Sequence, residues 1–216
     1  MKKQLLITAM LFTGFCALKA QDWSTSVYHY GEKYPGYIIK LEGDTVQGYI
    51  EYQYDRFKAQ NNVEFYTDPK NKKTKVVYKG DDLKGYKVAD KVYRSIAYSG
   101  GLLPKPMRFN LLVKDGRIAI YRWYDRNENY LTMMKSSSET QEEFEKRLYP
   151  DKEIYAKGNE KPFDSSNFGL KFAKFWAEQT SDYAEMSAKI ANKDKGYGLL
   201  KIYEIIDEYN AWYAKK

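Results

Sequence analysis

The stretch Gly36-Tyr-Ile-Ile-Lys-Leu-Glu-Gly-Asp-Thr-Val-Gln-Gly-Tyr-Ile-Glu-Tyr-Gln-Tyr54 reads as a β-hairpin, two alternating runs either side of a Gly-Asp turn. Both Glu42-Gly43 and Gly43-Asp44 fit a two-residue loop, and both give the same pairing parity. One face then collects Tyr37, Ile39, Leu41, Val46, Gly48, Ile50 and Tyr52. The other collects Ile38, Lys40, Thr45, Gln47, Tyr49, Glu51 and Gln53. The first set is the more apolar and is the expected core face. Gly48 weakens a strand interior, so it marks a bulge or a close approach by another element.

The same grammar recurs downstream. Residues 61–66 and 74–78 flank the breaker run Thr67-Asp68-Pro69-Lys70-Asn71 and read as a second hairpin. Gly80-Asp-Asp-Leu-Lys-Gly85-Tyr86 echoes the spacing of Gly43-Asp-Thr-Val-Gln-Gly48-Tyr49, either by internal duplication or because Gly-Asp is ordinary turn chemistry used twice. Residues 91–98 alternate as a strand, with Val92, Ile96 and Tyr98 on one side, and the Gly- and Pro-rich run 99–106 is a loop.

Asp115-Gly116 between two alternating runs is the strongest short hairpin signal in the chain. A two-residue turn there sets Val113 opposite Ile118, Leu111 opposite Ile120, Phe109 opposite Arg122 and Met107 opposite Tyr124. The reverse face carries Arg108, Asn110, Leu112, Tyr121 and Trp123, with Arg108 directly across from Trp123. Such a pair gains about 0.5–1 kcal/mol by cation–π contact at an exposed site. Arg108, Tyr121 and Trp123 are therefore the candidate ligand-binding residues, able to stack on sugar rings or hold an anionic envelope polymer. The competing and preferred reading buries that face under the C-terminal helices.

Residues 130–135 suit one more strand, and Thr140 with Glu143 forms a capping box for a short helix over 139–148. Gly158-Asn159 centres a last small hairpin within 152–163. From Asp164 the period changes. Ser165-Ser166-Asn167 caps a helix aligning Phe168, Phe172, Phe175 and Trp176. A second aligns Tyr183, Met186 and Ile190, and a third aligns Leu199, Ile202, Tyr203, Ile206, Tyr209 and Tyr213, with Trp212 off the stripe. Strands followed by helices argue an α+β fold: an antiparallel sheet of about 8–10 strands, as a sandwich or a partly open barrel, then a small helical segment.

The expected organisation is a signal peptide over 1–20, a polar lead-in with a short strand at 26–30 over 21–35, a β domain over 36–163, and helices over 164–216 packed on it. Lys2 and Lys3 precede an apolar run ending near Ala20, which is the pattern of a secretory signal, and the run is too short for a membrane span. Phe15 before Cys16 argues against a lipidated cysteine. The chain is then exported: periplasmic, outer-membrane-associated or extracellular. Cys16 is its only cysteine, so the mature chain has no disulfide, thiol nucleophile or thiolate metal site.

Composition narrows function further. Aromatics are 17% of the chain and 22 of its 216 residues are Tyr, which marks a folded protein. Net charge is +7; without the three lysines of the leader, 33 basic residues face 29 acidic ones, leaving +4, too mild for a nucleic-acid footprint. His29 is the only histidine, which removes multi-His metal sites, and no phosphate loop, Gly-x-Ser-x-Gly or calcium loop is present. No catalytic residue, metal or cofactor is expected.

Gly36-Tyr-Ile…Gly43-Asp-Thr…Gly48-Tyr-Ile, Asp82-Leu-Lys-Gly85-Tyr and the closing Ile205-Ile-Asp-Glu-Tyr209-Asn210 resemble an uncharacterised family of secreted Bacteroidota proteins. Some members of that family carry such a module before an outer-membrane barrel, and the Ala20-Gln21 junction looks like those of the phylum. The resemblance spans most of the mature chain and implies a compartment, with no catalytic residue to carry over. The leading functional reading is thus a non-enzymatic envelope module binding a protein or glycan through its sheet. The alternative is a carboxylate-dependent hydrolase acting on a polysaccharide, which needs two carboxyls about 5–10 Å apart, one held protonated.

Overall fold

The structure, a computed structural model, describes residues 29–53, 55–98 and 106–216. The leader and most of the lead-in and of the 99–106 loop lie outside the described residues. Ten strands form one antiparallel sheet in the order β10-β9-β8-β7-β6-β5-β1-β2-β3-β4. They are β1 (Lys33–Lys40), β2 (Thr45–Glu51), β3 (Asn62–Tyr66), β4 (Lys75–Lys79), β5 (Leu83–Val88), β6 (Lys91–Ala97), β7 (Met107–Lys114), β8 (Ile118–Tyr124), β9 (Asp151–Lys157) and β10 (Phe163–Asp164). The helices are α1 (Arg56–Asn61), α2 (Gln141–Leu148), α3 (Phe172–Gln179), α4 (Ala184–Ala191) and α5 (Ile202–Tyr213). The fold is α+β with a dominant antiparallel sheet, as expected. No helix among the described residues is long and apolar enough to cross a membrane.

The sheet is open but curled. Gly80, just past β4, lies so close to the start of β7 that a Cβ there would sit 2.1 Å from the Met107 carbonyl oxygen. Inside the curl lie Ile38, Ile50, Tyr52, Phe65, Tyr86, Tyr93, Phe109 and Leu111, joined by Ala59 of α1 and by Leu148 at the end of α2. Tyr86 and Tyr93 stack there at 4.5 Å. A second core forms where Ile118 and Ile120 of β8, Tyr155 of β9 and Phe163 of β10 meet Phe168, Trp176, Met186, Ile206 and Tyr209. Residues 118, 120 and 124 alternate along β8, so both cores lie on one face of that strand.

The first hairpin forms, with its parity changed on one arm. Lys40 N–H donates to the Asp44 carbonyl and Gly43 N–H to the Lys40 carbonyl, so the connection is the three residues Leu41-Glu42-Gly43. Gly43 at φ +110° takes the left-handed position such a loop requires. The added residue sets Ile38 opposite Val46, and Ile38 is buried beside Ile50 and Tyr52 as expected of their arm alone. Leu41, an expected core residue, is 51% exposed. The Gly-Asp echo at Gly80 is a different local structure, a 3-10 turn leading into β5.

Gly48 marks a close approach. A Cβ there would lie 2.4 Å from the Phe65 ring and 2.6 Å from the Tyr66 carbonyl oxygen. Gly48→Ala is expected to destabilise the fold by about 1–3 kcal/mol, since buried Phe65 and a paired strand must both give way. Urea unfolding checks this; an unchanged midpoint would contradict it.

Three further expectations need correction. Val113 is an extra residue in β7: Leu111 pairs with Arg122 and Leu112 with Tyr121, then Lys114 with Ile120, so Asp115-Gly116 is not a two-residue turn. Residues 130–135 are turns, not a strand. On α5 the buried positions are Ile202, Ile205, Ile206 and Tyr209, whereas Leu199, Tyr203 and Tyr213 are exposed. Trp212 is half-buried and stacks on Tyr183 at 4.6 Å. The capping box of Thr140 and Glu143 on α2 and the 152–163 hairpin form as expected.

Candidate functional site: a cation–aromatic ladder

The C-terminal helices cover the Ile118/Ile120 face of β8, and Trp123 points to the other face. Burial of Arg108, Tyr121 and Trp123 under those helices, the preferred expectation, is therefore incorrect. The alternation along β8 allowed either side; the helices take the one bearing two isoleucines.

Trp123 is nonetheless buried, packed with Tyr98 and Ile154, with Tyr98 meeting it edge-on at 5.5 Å. It cannot serve as a stacking platform for a sugar. Tyr121 is half-buried against the same cluster, where burial pushes its phenol pKa up and Asp115 adds to the rise. Arg108 does meet Trp123, its Cζ 5.0 Å from the ring centroid. The ladder register is two residues away from the expected one, so the contact is diagonal rather than direct.

Three residues that sequence reasoning missed, Phe57, Arg126 and Tyr130, extend the contact into a ladder. Arg108 Cζ also lies 5.4 Å from the centroid of the Phe57 ring of α1. Arg126, just past β8, lies 4.5 Å from Phe57 and 4.3 Å from Tyr130. The order is Trp123, Arg108, Phe57, Arg126, Tyr130, each guanidinium within 5.4 Å of two ring centroids. Asp55 positions this end twice over: it caps α1 by accepting from Lys58 N–H at 2.8 Å, and it pairs with Arg126. At the opposite end Lys152 sits 5.3 Å over Tyr98, whose hydroxyl donates to Asp164. Burial pushes the Asp164 carboxyl up, but hydrogen bonds from Ser166 and Tyr98 outweigh it and hold the group below its ordinary range.

Arg126 is thus neutralised by Asp55, and Arg108 is not. Among the described residues Arg108 has no hydrogen-bond acceptor for its guanidinium and no carboxylate within 4.0 Å, and it remains partly exposed. Partial burial lowers its pKa, with Asp125 working the other way, which leaves it a cation at any ordinary pH. Arg94 shares that face through its pairing with Asn110, and its Nη1 is buried with no partner. The face therefore presents Arg108 with unused N–H donors, and Arg94 Nη1 lies beneath it as a buried one.

Other chemistry is sparse. His29 is exposed, and no group of three or more His, Cys, Asp or Glu side chains among the described residues could hold a metal. The carboxyls whose titration is shifted, Glu139, Glu143, Asp164, Asp182 and Glu185, all shift downward, so none of these is held protonated as a general acid. No family model matches this chain, and no curated protein or solved structure does either.

Proposed function

We propose that this chain is an exported, non-enzymatic binding module of the cell envelope that holds an acidic glycan across the outer face of β6–β8. The observation that carries the reading is Arg108, its Cζ 5.0 Å from the Trp123 ring centroid and 5.4 Å from that of Phe57, with no acceptor of its own. A planar fork held this way loses little freedom when it donates bidentately to a carboxylate. The leader-like N-terminus and the resemblance to secreted proteins support the compartment, and they disfavour nucleic acid as a partner.

Affinity electrophoresis through polygalacturonate, with neutral dextran as control, tests it. Arg108→Ala is expected to lower affinity roughly ten- to hundredfold, the loss of about 1.5–3 kcal/mol from a charged hydrogen bond, with the melting temperature little changed. Arg108→Lys should keep the charge and lose most of the affinity. Equal retardation of wild type and Arg108→Ala would overturn the reading. Trp123→Ala is a poor probe, because deleting a buried Trp costs about 3–5 kcal/mol by itself.

A further inference from the structure

A pocket of about 400 Å3 lies between the lead into α3 and the α4–α5 connection, built from elements that take no part in the ladder. Its walls are mainly apolar, from Leu170, Phe172, Ala173 and Tyr197, and Lys171, Lys174 and Lys193 stand around it. No carboxylate lines it. The 3-10 turn Gly169–Lys171 lines it, and a second 3-10 turn, Leu199–Lys201, begins just after the pocket residue Gly198. Leu170 at the centre of the first is fully exposed, and Leu200 at the centre of the second is 96% exposed. Gly198, next to the second turn, lines the same pocket as Leu170. Lys195 adds a further cation to the connection. Among the described residues, none of Lys171, Lys174, Lys193 and Lys195 has a carboxylate within 4.0 Å, whereas nearby Lys201 is paired with Glu204.

We propose that this end of the helical layer docks on an anionic lipid surface. Leu170 and Leu200 enter the acyl boundary, and the four unpaired lysines meet headgroup phosphates. Two fully exposed leucines beside an apolar pocket gain nothing while they stand in water, and a bilayer interface supplies apolar depth and negative charge together. A single acyl acid seated in the pocket would leave Leu200 in water, because that residue does not line it. The proposal is independent of glycan binding at Arg108.

Flotation with vesicles of phosphatidylcholine containing phosphatidylglycerol, against phosphatidylcholine alone, is the test. Full chains are compared, so partition due to the apolar N-terminal segment is common to all variants. Wild type should float with the anionic vesicles and lose binding as salt rises. Each of Lys171→Glu and Lys174→Glu should weaken it by at least about fivefold, and the Leu170→Ser/Leu200→Ser pair by at least about tenfold. Leu131→Ser, at a leucine 81% exposed elsewhere, should change nothing. Equal flotation of wild type and the double leucine variant would overturn the proposal. So would saturable binding of monomeric laurate with vesicles ignored, or self-association of wild type that the leucine variants abolish.

Discussion

Glu145→Ala is expected to cost about 3–5 kcal/mol of folding stability, the usual consequence of breaking a buried ion pair from one side. Glu145 Oε2 lies 2.6 Å from Arg56 Nη2, and the two side chains are only 2% and 4% exposed. The pair joins α1 to α2 across 89 residues of chain. Gln141 Nε2 donates to the other carboxylate oxygen at 3.0 Å, and the Arg56 guanidinium sits 5.4 Å over the Tyr124 ring. Removing the carboxylate breaks this ion pair and leaves the Arg56 charge buried beside the Tyr124 ring. The double replacement Arg56→Met/Glu145→Leu removes both charges and should recover most of the loss. A urea double-mutant cycle measures this. A near-zero coupling, with both single variants as stable as wild type, would show that the pair is solvated in solution.

The same fold shows where sequence reading succeeds and where it stops. Hairpins were legible because turn chemistry is local: Gly43 and Gly158 sit where the chain reverses, both at positive φ. Facing was not, because one added residue inverts a whole arm. Gly43 lengthens the first loop and turns Ile38 inward in place of Tyr37 and Ile39. Val113 shifts the β7–β8 ladder in the same manner, yet the slip at Leu111 is by two residues and preserves faces, so Arg108 and Trp123 still meet. Phe57 and Arg126 were invisible for another reason. Helix α1 has six residues, too few for a periodic signal, and its contacts with β7 and β8 depend on the curl of the sheet. The Asp55 cap was the one local clue to it. The exposed leucines of the helical layer were equally hidden: Leu199 falls on an apolar stripe by spacing, while a 3-10 turn at Leu199–Lys201 turns it outward.

Gln60→Leu is expected to cost about 2–5 kcal/mol, because it strands two buried backbone groups at about 1–3 kcal/mol each. Tyr124 N–H donates to Gln60 Oε1 at 2.7 Å, and Gln60 Nε2 donates to the Tyr124 carbonyl at 2.6 Å. The β7–β8 ladder runs only from Leu111↔Arg122 to Lys114↔Ile120, so this carboxamide takes the place of a missing strand partner at the far end of β8. Asn210 of α5 does the same at the near end, accepting from Ile118 N–H and donating to its carbonyl, both at 2.9 Å. One strand is therefore held at its two ends by side chains from two helices remote in sequence. Gln60 is fully buried and Asn210 only partly so, which makes the first substitution the more costly. Hydrogen exchange separates them: Gln60→Leu should release the Tyr124 amide and spare Ile118, and Asn210→Leu should do the reverse. Loss of protection at both amides in either variant would mean that β8 opens as one unit. The ladder around Arg108 follows the Tyr124 end, since Trp123 and Arg126 flank it. Gln60→Leu should then weaken acidic-glycan binding while Asn210→Leu leaves it intact, although neither side chain belongs to the ladder.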